Sequence, residues 1–185
     1  MLGRTLLVAA VALALGAGTA GAQNAVFNGD FETGDLTGWT AHTDWEALGL
    51  GAYSGDWAAT LHREDQTPVD MQQVIATTPG QWYLASAWLK NDVDPGGYNR
   101  LEIYWNDTLI GFWDNMPYFD WGYDYASVQG TGSDTLRFSG YNTTGRWWID
   151  DVRVEPSAVP ELPTLVPLAL FSLSGLGVVC RRLRS

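Results

Sequence analysis

Twenty-one acidic side chains and ten tryptophans are the groups in this 185-residue chain with the most chemistry to offer. The carboxylates point away from catalysis. A glycosidase needs two of them at a set separation across a cleft, and among 21 no pair stands out as that one. His42 and His62 are the only histidines, and neither sits in a recognisable motif. The sequence shows no Ser-His-Asp order, zinc-ligand spacing or glycine-rich phosphate loop. Two carboxylate groupings fit a bound ion better. Asp30 and Glu32 are two apart and share a side if the chain is extended. Asp150 and Asp151 are adjacent near the end of the last apolar alternation. Calcium takes six to eight oxygens, several of them from carboxylates.

The aromatic residues point to a second chemistry. All ten tryptophans and all eight tyrosines fall between residues 23 and 163. Rings of this kind pack β-sandwich cores and favour strands. There are more than one core of this size readily holds, so some are expected to face solvent. Exposed rings on an acidic domain suit stacking against the C–H faces of sugars, with neighbouring polar groups bonding the hydroxyls.

The elements that position these groups read as strands. Twenty-one glycines separate short runs of alternating apolar residues. Strands are predicted at 38–43, 57–63, 71–76, 82–90, 100–105, 109–113, 125–129, 135–141 and 146–154. Asn106-Asp107 is a tight-hairpin signal, and turns are expected at 78–80 and 95–97. Eight or more strands in one domain imply an all-β fold, a two-sheet antiparallel β-sandwich of jelly-roll type. Period-two alternation then assigns faces. Tyr83, Ala85, Ala87 and Leu89 read as core, with Leu84, Ser86, Trp88 and Lys90 outside. Leu101, Ile103 and Trp105 read as core, with Arg100, Glu102 and Tyr104 outside. Leu136 and Phe138 read as core, with Arg137, Ser139 and Tyr141 outside. The expected ligand face therefore comprises Trp88, Arg100, Glu102, Tyr104, Arg137 and Tyr141. Trp88 and Tyr104 would stack on pyranose rings, and Arg100, Glu102 and Arg137 would bond hydroxyls. Trp113, Tyr118, Trp121 and Tyr123, in a stretch read as loop with Asp114, Asp120 and Asp124, form a second group at a site mouth or a sandwich end.

Both ends of the chain are set apart from this body. Residues 1–22 hold Arg4, an apolar stretch from Leu6 to Leu15 and the small-residue end Ala20-Gly21-Ala22, which reads as a secretory signal peptide. At the other end, Pro160-Glu161-Leu162-Pro163 precedes an apolar run from Leu165 to Cys180, closed by Arg181, Arg182 and Arg184. The expected divisions are a signal peptide at 1–22, a β-sandwich at 23–156, a linker and Pro-Glu motif at 157–163, and an apolar segment with a basic tail at 164–185. Between residues 23 and 163, six basic residues face 21 acidic ones, a net charge of −15. That balance excludes nucleic acid and anionic membranes as partners, because phosphate contacts need Lys and Arg. The only cysteine, Cys180, lies in the tail, so the body has no disulfide to lean on.

The tail resembles the PEP-CTERM sorting signal of exported bacterial proteins, with Leu162 inserted between Glu161 and Pro163. The resemblance implies recognition of Pro160, Glu161 and Pro163 by an exosortase-like membrane enzyme, with membrane association before processing. A plain single-span anchor is the alternative. The body carries a second resemblance. Asn28-Gly-Asp-Phe-Glu followed by Gly38-Trp39, Tyr53-Ser-Gly-Asp-Trp57, Pro79-Gly-Gln-Trp-Tyr83 and Trp148-Ile-Asp-Asp-Val152 are similar to blocks of galactose-binding-like jelly rolls, which include xylanase-associated carbohydrate-binding modules. This implies a structural calcium on Asp30, Glu32 and Asp150 or Asp151, near Ser54-Gly55. Together these readings give an exported, non-catalytic glycan-binding protein of the cell envelope or exopolysaccharide matrix. The alternatives are a structural matrix or adhesion protein without a defined sugar site, and a small polysaccharide-cleaving enzyme.

Overall fold

The computed structural model describes residues 23–93 and 96–157. The expected signal peptide, Pro95 of the expected 95–97 turn, and the tail with Pro160, Glu161 and Pro163 lie outside the described residues. The described chain forms β1 (Thr40–Ala41), β2 (Trp45–Leu48), β3 (Ala58–Leu61), β4 (Val69–Ala76), β5 (Trp82–Asn91), β6 (Asn99–Trp105), β7 (Thr108–Asp114), β8 (Phe119–Gln129), β9 (Ser133–Asn142) and β10 (Trp147–Pro156). They make two five-stranded antiparallel sheets. The front sheet runs β1-β4-β9-β6-β7 and the back sheet β2-β3-β10-β5-β8.

The alternation fixes the core as expected. Tyr83, Ala85, Ala87 and Leu89 of β5 face inward against Leu101, Ile103 and Trp105 of β6 and Leu136 and Phe138 of β9, all buried. Phe31, Leu61, Met71, Trp147, Ile149 and Val154 complete the filling. Some aromatic rings face solvent as expected, and residue type separates the tryptophans from them. Trp39, Trp45, Trp105, Trp147 and Trp148 are buried, the other five are half-buried, and none is exposed. The solvent-facing rings are tyrosines and phenylalanines instead. The core accommodates its indoles because each finds an oxygen to accept its N–H, the Asp92 carboxylate for Trp148 (2.7 Å) and a main-chain carbonyl for the other four. Trp39 donates to Asn28 (3.1 Å), Trp45 to Val69 (3.1 Å), Trp105 to Gln129 (3.0 Å) and Trp147 to Tyr141 (3.1 Å).

The opening segment runs alongside β10. The amide of Ala25 donates to the Val154 carbonyl and that of Val152 to the Gly29 carbonyl. A Cβ at position 29 would stand 2.1 Å from the Val152 oxygen, so only glycine admits this approach. Asn106, at a φ of 53°, turns β6 into β7 as the hairpin signal implied. Fully buried Asp134 ties three connections together. It accepts from the Thr77 hydroxyl, from Asn106 Nδ2 (2.8 Å), and from the Thr131 amide (2.9 Å) and hydroxyl (2.7 Å).

Three element boundaries differ from the sequence reading. The stretch taken as loop around Trp121 and Tyr123 belongs to the eleven-residue β8. There Asp120, Gly122 and Asp124 alternate with Trp121, Tyr123 and Tyr125. Asp and Gly are poor strand formers, and the period of two outweighs them because β8 pairs along β5. The β2 strand was not anticipated, and the strand expected at 38–43 shrinks to Thr40–Ala41. Trp39 there turns inward against Phe31 and Phe138.

Candidate functional site

The outer face of the front sheet gathers five of the six expected ligand residues. Arg100, Glu102 and Tyr104 leave β6 on one side, and the register sets Tyr141, Ser139 and Arg137 of β9 opposite them. On the other flank, β7 places Asp114 opposite Arg100 and Phe112 opposite Glu102. Glu102 is the centre of this array. Its Oε1 accepts from Arg100 Nε (3.1 Å) and Nη2 (2.6 Å), and its Oε2 accepts from the Tyr104 hydroxyl (3.0 Å). The Arg137 guanidinium lies 4.0 Å from the centre of the Tyr104 ring and reaches Asp70 Oδ1 at 3.3 Å. The Arg100 guanidinium lies 5.1 Å from the Phe112 ring, and Phe112 remains 50 % exposed.

These contacts shift the groups they join. The hydrogen bond to Glu102 raises the Arg100 pKa above its usual value. Burial, then the bond to Glu102, raises that of Tyr104. Tyr141 faces outward by register but is 7 % exposed, and burial followed by the charge of Asp114 raises its pKa. Its ring is not free for stacking, which removes it from the contact set. What remains is a fixed row of guanidinium donors, a carboxylate acceptor and a phenol beside one open ring. Such a row can bond vicinal hydroxyls through the guanidinium N–H groups and the carboxylate oxygens, while Phe112 meets a C–H face. Its parts are held before any ligand arrives, which lowers the cost of binding.

Trp88 does not belong to this array. It leaves β5 on the outer face of the back sheet, on the opposite side of the sandwich. Period-two alternation reads the outward direction of Trp88 correctly but does not say which sheet holds it. A further tyrosine, Tyr53, covers it, stacked with ring centres 3.8 Å apart and planes at 14°. Trp121 meets Tyr53 edge-on at 5.8 Å, Tyr123 lies 5.3 Å from Trp88, and Tyr125 stacks on Tyr123 at 5.8 Å. The second aromatic group of the sequence therefore divides. Trp121 and Tyr123 join this strip, Trp113 packs against the core edge, and Tyr118 stands exposed after β7. The sequence reading missed Tyr53 and Tyr125 as surface residues. The period-two spacing of Trp121, Tyr123 and Tyr125 was the available signal for the latter.

Two of the four carboxylates expected to hold calcium, Glu32 and Asp150, bond the loop that carries Tyr53. Asp150 is the cross-strand neighbour of Trp88. Its Oδ2 accepts from the amides of Tyr53 (2.9 Å) and Ser54 (3.0 Å), and its Oδ1 from the amide of Asp151 (2.7 Å). Glu32 Oε1 accepts from the amides of Asp56 and Trp57, both at 2.8 Å. A side chain on Gly55, at a φ of 63°, would strike the Glu32 carboxylate, so the loop needs glycine there. Asp30 accepts from the Glu32 amide (3.4 Å), and Asp151, at a φ of 47° in the β10 bulge, pairs with Arg153 at 3.6 Å. Asp150 is fully buried, and burial raises its pKa to about 6 despite the three amides that favour its charge. Both of its oxygens are thus engaged by donors of the polarity a cation would supply. No three His, Cys, Asp or Glu side chains among the described residues form a metal-holding group. Together Glu32 and Asp150 clamp residues 53–57 through four main-chain amides.

Neither a protein-family model nor a curated protein matches the sequence. Solved structures do match the fold. The TmCBM61 module in complex with β-1,4-galactotriose superposes with a TM-score of 0.57 at 15 % identity, over 73 % of this chain and 99 % of that one. A family 16 carbohydrate-binding module gives 0.53 at 20 % identity, over 71 % and 99 %. The C-terminal family 22 carbohydrate-binding module of Clostridium thermocellum Xyn10B gives 0.53 at 16 %, over 73 % and 96 %. The described body therefore has the jelly-roll β-sandwich fold of carbohydrate-binding modules.

Proposed function

We propose that this is an exported, non-catalytic glycan-binding protein, and that the front face built on Glu102 is its recognition surface. One observation carries the reading. Arg100, Glu102, Tyr104 and Arg137 are interlocked beside the exposed Phe112 ring, an arrangement that offers fixed hydroxyl partners and a stacking surface together. The fold shared with carbohydrate-binding modules supports it, although a fold alone does not assign a function. The net charge of −15 between residues 23 and 163 favours a neutral glycan over an anionic one. Electrophoresis of residues 23–157 through native gels containing a neutral polysaccharide (xylan, β-1,4-galactan or a mixed-linkage glucan), with alginate as the charged control, tests it. Retardation in at least one neutral gel, weakened by Glu102→Ala, is expected. Free migration in all of them would leave the structural or adhesive reading. Release of reducing ends would favour the enzymatic one.

Two further parts of the proposal rest on sequence resemblance. The first is placement in the cell envelope or exopolysaccharide matrix through an exosortase-type system. Replacing Pro160 and Glu161 by alanine in the full chain is expected to leave an unprocessed, membrane-held precursor; unchanged mature mass and location would count against it. The second is a structural calcium at the 53–57 loop. If calcium adds to the amide clamp, EDTA lowers the melting temperature by several degrees and added calcium restores it. A melting curve blind to both removes the ion and leaves the clamp to hold the loop by itself.

A further inference from the structure

We propose that the outer face of the back sheet is a second glycan-contact surface, on which Tyr53, Tyr123 and Tyr125 form a stacking platform over Trp88 and Trp121. One molecule would then hold two neutral polysaccharide chains, one on each side of the sandwich. The proposal rests on the glycan-binding reading of the front face.

The geometry carries it in three steps. First, the rings are both open and contiguous. Tyr53 is 39 %, Tyr123 48 % and Tyr125 64 % exposed, and successive ring contacts link all three through Trp88. Tyr123 and Tyr125 are successive outward positions of β8, so the platform extends along a strand and suits a linear ligand. Second, Tyr53 is placed rather than merely near. Asp150 and Glu32 hold the backbone amides of residues 53, 54, 56 and 57, and Gly55 permits the bend. A fully buried carboxylate spent on positioning an exposed ring makes sense when the ring has a partner. Third, the chemistry of the surface selects that partner. Tyrosine offers an apolar face with a polar tip, which matches a sugar ring with C–H faces and hydroxyl edges. Lys90 lies next to the strip, but it faces Asp120 at 3.8 Å and the Trp148 ring. An anionic chain therefore gains little here, and a second copy of this strongly acidic body would be repelled. Unlike the front face, the strip has no interlocked guanidinium–carboxylate array. It supplies adhesion with little selectivity, whereas the front face supplies orientation.

Two chains held on opposite faces make the protein a cross-linker, and cross-linking is the readout that a single site cannot give. The test follows light scattering of a soluble neutral polysaccharide that retards the protein, as protein is added, for wild type, Glu102→Ala and the double variant Tyr123→Ala/Tyr125→Ala. Melting curves confirm that the variants fold; Tyr123 and Tyr125 are exposed, and their removal leaves the core untouched. Scattering should rise with wild type and fall again at protein excess. Either variant should abolish the rise while still showing residual retardation in the gel. Scattering by the double tyrosine variant equal to wild type overturns the second surface. So does retardation abolished entirely by Glu102→Ala, which leaves the front-face reading intact. A protein that is dimeric without glycan explains cross-linking otherwise and overturns it as well. Absence of any retardation of wild type overturns both readings. Retardation insensitive to Glu102→Ala but lost in the tyrosine variant keeps this surface and overturns the front one, and with it the claim of two chains.

Discussion

The protein is expected to melt at its highest temperature in mildly acid solution, between about pH 4 and 6, and to lose stability on either side. Two buried carboxyls of opposite character set these limits. Burial raises the Asp150 carboxyl from 3.8 to about 6 in the folded chain. The native state therefore binds that proton more tightly than the unfolded chain, and stability rises as pH falls through 6 towards 4. The gain is about 3 kcal/mol from the size of the shift, on the order of 10 °C in melting temperature for a domain of this length. Asp134 behaves in the opposite way. Burial pushes its carboxyl up, but the Thr131 amide, the Thr77 and Thr131 hydroxyls and the Asn106 amide outweigh this and hold it at about 2. Its contribution is complete above about 3.8 and is lost as pH falls from there towards 2, at a cost of about 2 kcal/mol. Melting curves at about pH 7.5, 5 and 3 check the prediction. Asp150→Asn should flatten the neutral-to-acid rise and Asp134→Asn the acid fall. A melting temperature that falls steadily from neutral to mildly acid pH would contradict the assignment of Asp150.

The second large effect belongs to Glu102. Glu102→Ala is expected to weaken glycan binding tenfold to a hundredfold while leaving the fold nearly as stable as before. The carboxylate both accepts ligand hydroxyls and orients Arg100 and Tyr104. Hydrogen bonds to charged groups contribute about 1.5–3 kcal/mol each, and each 1.4 kcal/mol is about a factor of ten in affinity. Its worth to stability is smaller. Arg100 is 38 % exposed, so water screens its end of the pair and can solvate it once the carboxylate is gone, while Glu102 itself is 12 % exposed. Calorimetry with the retarding polysaccharide, paired with a melting curve, separates the two. A variant that binds as wild type shows that the array is a solvated sheet surface without a ligand. Phe112→Ala provides the complementary measurement, removing the open ring while keeping the polar row.

Much of this was readable before the structure. The alternation in residues 82–90, 100–105 and 135–141 assigned inward and outward side chains correctly, because a strand buried on one face admits only one phase. It could not say which strands share a sheet, since pairing is a long-range property that local period does not encode. That is why Trp88 was grouped with Arg100 and Tyr104 across a core that separates them. Tyr141 shows a different limit. Its phase is outward, but neighbours on the same face bury it, and alternation carries no information about lateral crowding. Glu32 of the opening segment and Asp150 of the last strand both reach the loop at 53–57. The amides bound by Glu32 and Asp150 were not legible, because a backbone amide and a cation attract carboxylates alike and amides leave no trace in sequence. Tyr53 was invisible for the same reason. Its place over Trp88 depends on two carboxylates 21 and 97 positions away in the chain.

The four indole N–H bonds of the core tie the Trp39, Trp45, Trp105 and Trp147 rings to main-chain oxygens of the opening segment, β4, β8 and β9. Small exported domains commonly obtain such ties by oxidising thiols, but this body has none to oxidise. Its fastenings are consequently indifferent to redox potential. Their formation consumes no oxidant and needs no isomerase, and no thiol or reductant in the surrounding medium can undo them.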